Sequence, residues 1–166
     1  MTMTARRAAA LAAAATMLSA TAWAQAPNKV LGTWRMVSAE IEQDGRTRPA
    51  YGAAPNGLLV FTQDGHFVEV LTDAAVPRFA KDARGQGTDE ENRAAMAGGI
   101  GFFGTYTVDA DGEFSGNRVT GSTFPNWVGS ARTRKELQLV VQGDRMTERF
   151  QRPEGSQVHI VWRRER

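Results

Sequence analysis

The chain has 166 residues, no cysteine and two histidines, which excludes a disulfide scaffold, thiol catalysis and thiolate metal sites and leaves stability to packing and backbone hydrogen bonds. Its 20 Lys and Arg stand against 18 Asp and Glu for a net charge of +2, and the surplus lies at the N-terminus as Arg6 and Arg7. Without those two the balance is 18 against 18, so there is no basic excess to attract nucleic acid or an anionic membrane.

Arg6 and Arg7 precede an apolar stretch from Ala8 to Leu18 and small-residue sites at Ala22-Trp23-Ala24 and Ala24-Gln25-Ala26. That order is the layout of a cleavable signal peptide. Cutting after Ala26 would leave Pro27 first, so the expected cut follows Ala24. Residues 1–24 would be removed and residues 25–166 would fold as one domain, periplasmic or secreted. The apolar run is shorter than the roughly 20 residues a spanning helix requires, so no stable membrane insertion is expected.

From Gly32 onward the apolar residues follow a two-residue period broken by turn signals, the pattern of consecutive antiparallel strands. Strands are expected at Thr33 to Glu42, Leu58 to Thr62, His66 to Leu71, Phe102 to Asp109, Phe114 to Ser122, Arg134 to Val141, Arg145 to Gln151 and Gln157 to Arg164. Gln63-Asp64-Gly65, Asp109-Ala110-Asp111-Gly112, Gln142-Gly143-Asp144 and Pro153-Glu154-Gly155-Ser156 supply the Gly and Asp that tight hairpins need. The expected fold class is therefore all-β: an eight-stranded antiparallel up-and-down barrel, closed so that no edge is left exposed.

Between the third and fourth of these strands lies a long insertion, Thr72 to Gly101. Thr88-Asp89-Glu90-Glu91 has capping-box spacing, helix formers run from Arg93 to Ala97, and Gly98-Gly99 stops them. One short helix is expected there. It is too short to be stable alone and has to dock on something apolar, with Ala94, Ala95 and Met96 as its small apolar face. Long insertions of this kind serve as lids more often than as filler.

Several local patterns, in order, resemble the lipocalin-like domain family of bacterial proteins. Gly32-Thr33-Trp34 is similar to the Gly-x-Trp that opens a lipocalin barrel. Tyr51-Gly52, Pro55-x-Gly57 and the run Leu58 to Gly65 resemble that family's second strand and turn, and Glu90-Glu91, Phe103-Gly104-Thr105-Tyr106 and Phe124-Pro125-Asn126-Trp127-Val128-Gly129 followed by Arg134 resemble later segments. The resemblance spans nearly the whole domain and implies a lipocalin-like barrel. Where the family often carries histidine before Pro-Asn-Trp, this chain has Asn117 and Arg118.

Closure of such a barrel brings Trp34 and Trp162 together on its first and last strands, opened by Gly32, with Arg163 or Arg164 stacked over an indole as a plug. Phe103, Tyr106, Phe124 and Trp127 form an aromatic group beside the insertion that either shapes an apolar cavity or completes the core. Asn126 is held between Pro125 and Trp127, where its amide either meets a ligand or caps a turn. Arg134 and Glu148 on neighbouring strands form a buried ion pair if their face points inward; Leu137, Leu139 and Val141 on the opposite face favour outward. His66 and His159 both read as surface residues. No catalytic triad order, phosphate loop, metal-ligand spacing or cofactor motif is present.

Three functions fit this reading. The first is an exported barrel that binds a small apolar or amphipathic molecule. The second is an isomerase, cyclase or hydrolase using the same cavity, and the third is an interaction module whose barrel is filled. A carrier needs an open, mostly apolar mouth, an enzyme needs converging polar groups, and a module needs neither.

Overall fold

The alternation that starts at Gly32 places every second side chain on one face, and the only way to bury that face in a single sheet is to curl the sheet on itself. The computed structural model, which describes residues 26–166, does this with ten strands and one α-helix. In chain order they are β1 (Gly32–Gln43), β2 (Arg46–Pro49), β3 (Pro55–Phe61), β4 (His66–Asp73), α1 (Asp89–Ala97), β5 (Gly99–Val108), β6 (Phe114–Ser122), β7 (Ala131–Thr133), β8 (Leu137–Gln142), β9 (Arg145–Gln151) and β10 (Gln157–Arg164). The strands run as a meander, β7-β6-β5-β4-β3-β1-β10-β9-β8, with β10 paired antiparallel to β1 and β2 attached to β1 alone. Among the described residues no ladder joins β7 to β8, so the barrel is nearly closed.

Ten strands form where eight were expected, for two local reasons. After β1 the chain reverses through Asp44 and Gly45, both at positive φ (52° and 72°), and β2 folds back on β1. Every residue of β2 is exposed, so no apolar alternation marks it in the sequence. The expected sixth strand, Arg134 to Val141, starts only at Leu137, because residues 134–136 form a turn in which Glu136 accepts from the Thr133 backbone N–H at 2.8 Å and from its hydroxyl at 2.6 Å. The residues before that turn form β7 and those after it β8.

Inside the barrel, Trp34, Leu59, Phe67, Phe114, Ile160 and Trp162 are among the side chains almost wholly removed from solvent. The expected helix forms as α1, with Thr88 and Glu91 making both halves of the capping box, at 3.2 and 2.8 Å. Glu91 also accepts from Ala80 N at 2.7 Å, which ties the helix start to the preceding loop. The proposed leader, residues 1–24, lies outside the described residues. Among the described residues no helix is long and apolar enough to cross a membrane.

Candidate functional site

An up-and-down barrel gathers its connections at two ends, and here the ends differ. One carries the tight turns after β3, β5 and β8, and the segment before β1 runs across it, with Lys29 N donating to Gly112 O at 2.9 Å. This is a closed floor. The indole of Trp34 is buried over it and donates to Val30 O at 2.7 Å. The Arg164 guanidinium lies 4.0 Å from the Trp34 ring centroid and donates to Lys29 O at 2.8 Å and to Leu31 O. A Cβ on Gly32 would stand 3.1 Å from that guanidinium, so the glycine makes room for it. The stacking residue is Arg164 and not Arg163: Arg163 pairs with Arg35 on the outer face of the β1–β10 ladder and is exposed. Nor does Trp162 stack with arginine, because its side chain turns into the barrel.

Tyr106 also belongs to the floor. Its hydroxyl donates to Thr62 O and accepts from Asn28 Nδ2, both at 2.7 Å, which fastens the segment before β1 to the β3–β4 turn.

The other end is open. Its connections are the Tyr51 loop before β3, the insertion with α1, the Phe124–Ser130 loop and the Arg152–Gly155 turn, and they surround a cavity of about 830 Å³. Phe124, Trp127, Phe150, Ile100 and Met96 make much of its wall. Phe102, Trp127 and Phe124 meet edge to face, with centroids 5.1 and 6.1 Å apart, which fixes the Trp127 ring. Three arginines share the same wall: Arg93 from α1, Arg132 from β7 and Arg152 after β9. Arg132 is held between two aromatic rings, 5.3 Å from the Trp127 centroid and 5.2 Å from that of Phe150.

Below Phe150 two carboxyls lie among the apolar side chains of the barrel interior. Glu148 is 2% and Glu69 is 5% exposed, on β9 and β4. Glu148 accepts from the Trp162 indole N–H at 2.9 Å. Burial is the main cause that pushes its carboxyl up to about 7, while that hydrogen bond and the charge of Arg132 pull the other way. Glu69 is pushed well above the usual carboxylate range, first by burial and then by the charge of Glu148. Burial, then the two glutamates, likewise raises the Tyr51 phenol, against the pull of Arg152. The Oδ1 of Asn117, which faces Arg132 across the β6–β7 ladder, is buried with no hydrogen-bond partner among the described residues.

The residues singled out in the sequence therefore separate. Phe124 and Trp127 reach the cavity, and Glu148 lies in the interior. Phe103 does not line it: its ring is 53% exposed on the outer face of β5. Asn126 sits exposed in the turn Pro125–Trp127. Arg134 and Glu148 make no ion pair, since Glu148 points inward, against the outward reading, while Arg134 points out and donates to Asp109 Oδ2 at 2.6 Å and to Phe114 O. Arg134 lies in the turn at residues 134–136 and not on a strand. Of the histidines, His66 is exposed and His159 half-buried, its Nε2 without a hydrogen-bond partner among the described residues. Sequence reasoning missed Tyr51, Glu69, Arg93, Arg132 and Arg152. Glu69 left one trace, a charge in register with Phe67 and Leu71, but Val68 and Val70 make the other face of β4 equally apolar.

Residues 31–164 match the family described as lipocalin-like domain. The chain belongs to that family. Among curated proteins none matches it. Two solved structures are similar to the lipocalin-like chain at 15% identity and a TM-score of 0.41. One is a redesigned β-barrel, covering 86% of this chain and 96% of its own, and the other a de novo designed fluorescence-activating β-barrel, covering 85% and 98%.

Proposed function

We propose that this lipocalin-like barrel holds a small amphipathic molecule in its open mouth, and that it does so outside the cytoplasm after loss of residues 1–24. The observation that carries the reading is the cavity itself. Its 830 Å³ falls in the range of roughly 300 to 1,000 Å³ typical of small-molecule sites, and it combines an aromatic wall with a few polar groups. A filled interaction module would have no such space. Proton-transfer chemistry in the same barrel is the second reading, favoured by the buried Glu69 and Glu148; neither of them, however, forms part of the cavity wall.

Titration with a neutral naphthylamine dye tests the binding. Its fluorescence is expected to rise on the wild type, and Trp127→Ala to weaken it roughly tenfold, equivalent to about 1.4 kcal/mol. A dye that never binds the wild type refutes the carrier. Export is tested by N-terminal sequencing of protein from a periplasmic extract, which should begin at Gln25; retained Met1 refutes it.

A further inference from the structure

The cavity wall carries an imbalance of charge that an apolar guest would not use. Three guanidiniums, Arg93, Arg132 and Arg152, face one carboxylate, Glu154, around it. Among the described residues none of the three has a carboxylate oxygen within 4.0 Å, although five ion pairs of Lys or Arg form elsewhere on the molecule. Arg132 is the most constrained. Its guanidinium carbon lies over the Trp127 and Phe150 rings, 5.3 and 5.2 Å from their centroids, which places the cation against both aromatic side chains of the wall. No protein acceptor takes up the Arg132 N–H donors among the described residues, in contrast to Arg134 and Arg164, whose donors are used.

A half-buried guanidinium that lies against two aromatic rings at a cavity wall and is left without an acceptor is matched by an anion with an apolar body. From this arrangement we infer that the ligand is an amphipathic monocarboxylic acid, its carboxylate accepting from Arg132 and its apolar body lying against Trp127, Phe124 and Met96. The inference rests on the binding role proposed above and adds the class of the ligand. A carboxylate fits because its two oxygens match the fork of a guanidinium edge. Arg93 and Arg152 at the rim add attraction for the incoming anion without having to touch it. The interior carboxyls do not cancel this charge. Among the described residues neither Glu148 nor Glu69 forms an ion pair with Arg132 within 4.0 Å, and burial shifts both toward the neutral acid.

The test compares two probes that differ only in charge, dansylaminoundecanoic acid and its methyl ester, titrated by fluorescence near neutral pH. On the wild type the acid is expected to bind at least roughly tenfold more tightly than the ester, the scale of a charge-assisted hydrogen bond. Arg132→Gln should abolish that preference, read as the ratio of acid to ester affinity within the variant whatever its ester affinity becomes, and Arg132→Lys should keep part of it, since charge survives without the fork. Equal affinity of acid and ester on the wild type overturns the inference and leaves the binding role standing. Binding of neither probe overturns both. A preference that persists in Arg132→Gln shows that the anion seat is elsewhere. Should that variant fail to fold by circular dichroism, Arg132→Lys decides, because an undiminished preference there is equally fatal.

Discussion

At the scale of single residues, the interior glutamates set the chemistry of the barrel. A carboxylate taken out of water without a cation in contact is unstable, and the chain answers by holding the proton. The groups that face Glu148 are Trp162, whose N–H steadies the ionised form, Arg132, which attracts it, and Glu69, whose own burial makes a second negative charge costly. Tyr51 and Arg152 complete the surroundings. Because the carboxyl of Glu148 rises from 4.5 to about 7 on folding, the folded state binds the extra proton between those values. Its contribution to stability is thus fully present below about pH 4.5 and is lost as the pH rises to about 7. Glu148→Gln keeps an acceptor for Trp162 and cannot ionise. Urea unfolding across pH should show the variant close to wild type in acid and more stable than wild type above neutrality, by on the order of 3 kcal/mol at about 1.4 kcal/mol per pH unit. A stability difference that does not change with pH would mean that Glu148 is hydrated or ion-paired.

At the scale of elements, the β5–β6 ladder shows how backbone shape decides what a strand can carry. Between Phe103 and Gly104 the register shifts, so that Thr120 is an extra residue on β6. A Cβ on Gly104 would stand 1.9 Å from Arg118 O, a backbone atom with nowhere to move, whereas one on Gly101 of the same strand meets only the Thr123 and Val70 methyls at 3.7 Å. Gly104→Ala is expected to destabilise the fold by roughly 1 to 3 kcal/mol, as overpacking does, and Gly101→Ala to leave the urea midpoint nearly unchanged. Equal effects of the two would show that β5 and β6 do not approach so closely. The ladder also shows where the sequence could be read and where it could not. Strands with one apolar and one polar face, such as β8 with Leu137 and Leu139, carry their orientation in the alternation, whereas the charge of Glu148 hides that of β9, and the capping box names the start of α1 outright. β2 has no buried residue to betray it, β4 is apolar on both faces and so hides Glu69, and the Glu136 turn takes Arg134 off the strand through a side-chain hydrogen bond that no periodicity records. The floor was legible because Gly32 and Trp34 announce it, whereas the cavity was only half legible: its aromatics are clustered in sequence, but its arginines come from separate elements that meet only in the fold.

At the scale of the whole molecule, the two ends of the barrel divide stability from access. The floor is tied by Trp34, Tyr106 and Arg164, while the mouth is framed by loops, of which the insertion is the longest. Helix α1 has no buried residue, and Met96 is 50% exposed although it borders the cavity with Arg93 and Ala97. The helix thus contributes wall without contributing core, which is what a movable cover requires. Its attachments lie side by side: Thr72 pairs with Gly99, and Asp73 N donates to Gly98 O at 2.6 Å. Residues 74–97 can therefore be replaced by a two-residue Asn-Gly turn that joins β4 to β5 as an ordinary hairpin. The shortened chain is expected to keep the β-sheet circular dichroism and nearly the same thermal midpoint, because no core side chain is removed. Stopped-flow mixing with the dansyl ester should show faster association, since lids open on the microsecond-to-millisecond scale and this one would be gone. Dissociation should accelerate more, because Met96 and Ala97 no longer hold the guest. The acid-over-ester preference should survive, since Arg132 belongs to β7 and keeps its place between Trp127 and Phe150. If a folded variant binds the ester with unchanged rates, α1 is a passive ornament of the rim and the mouth is permanently open.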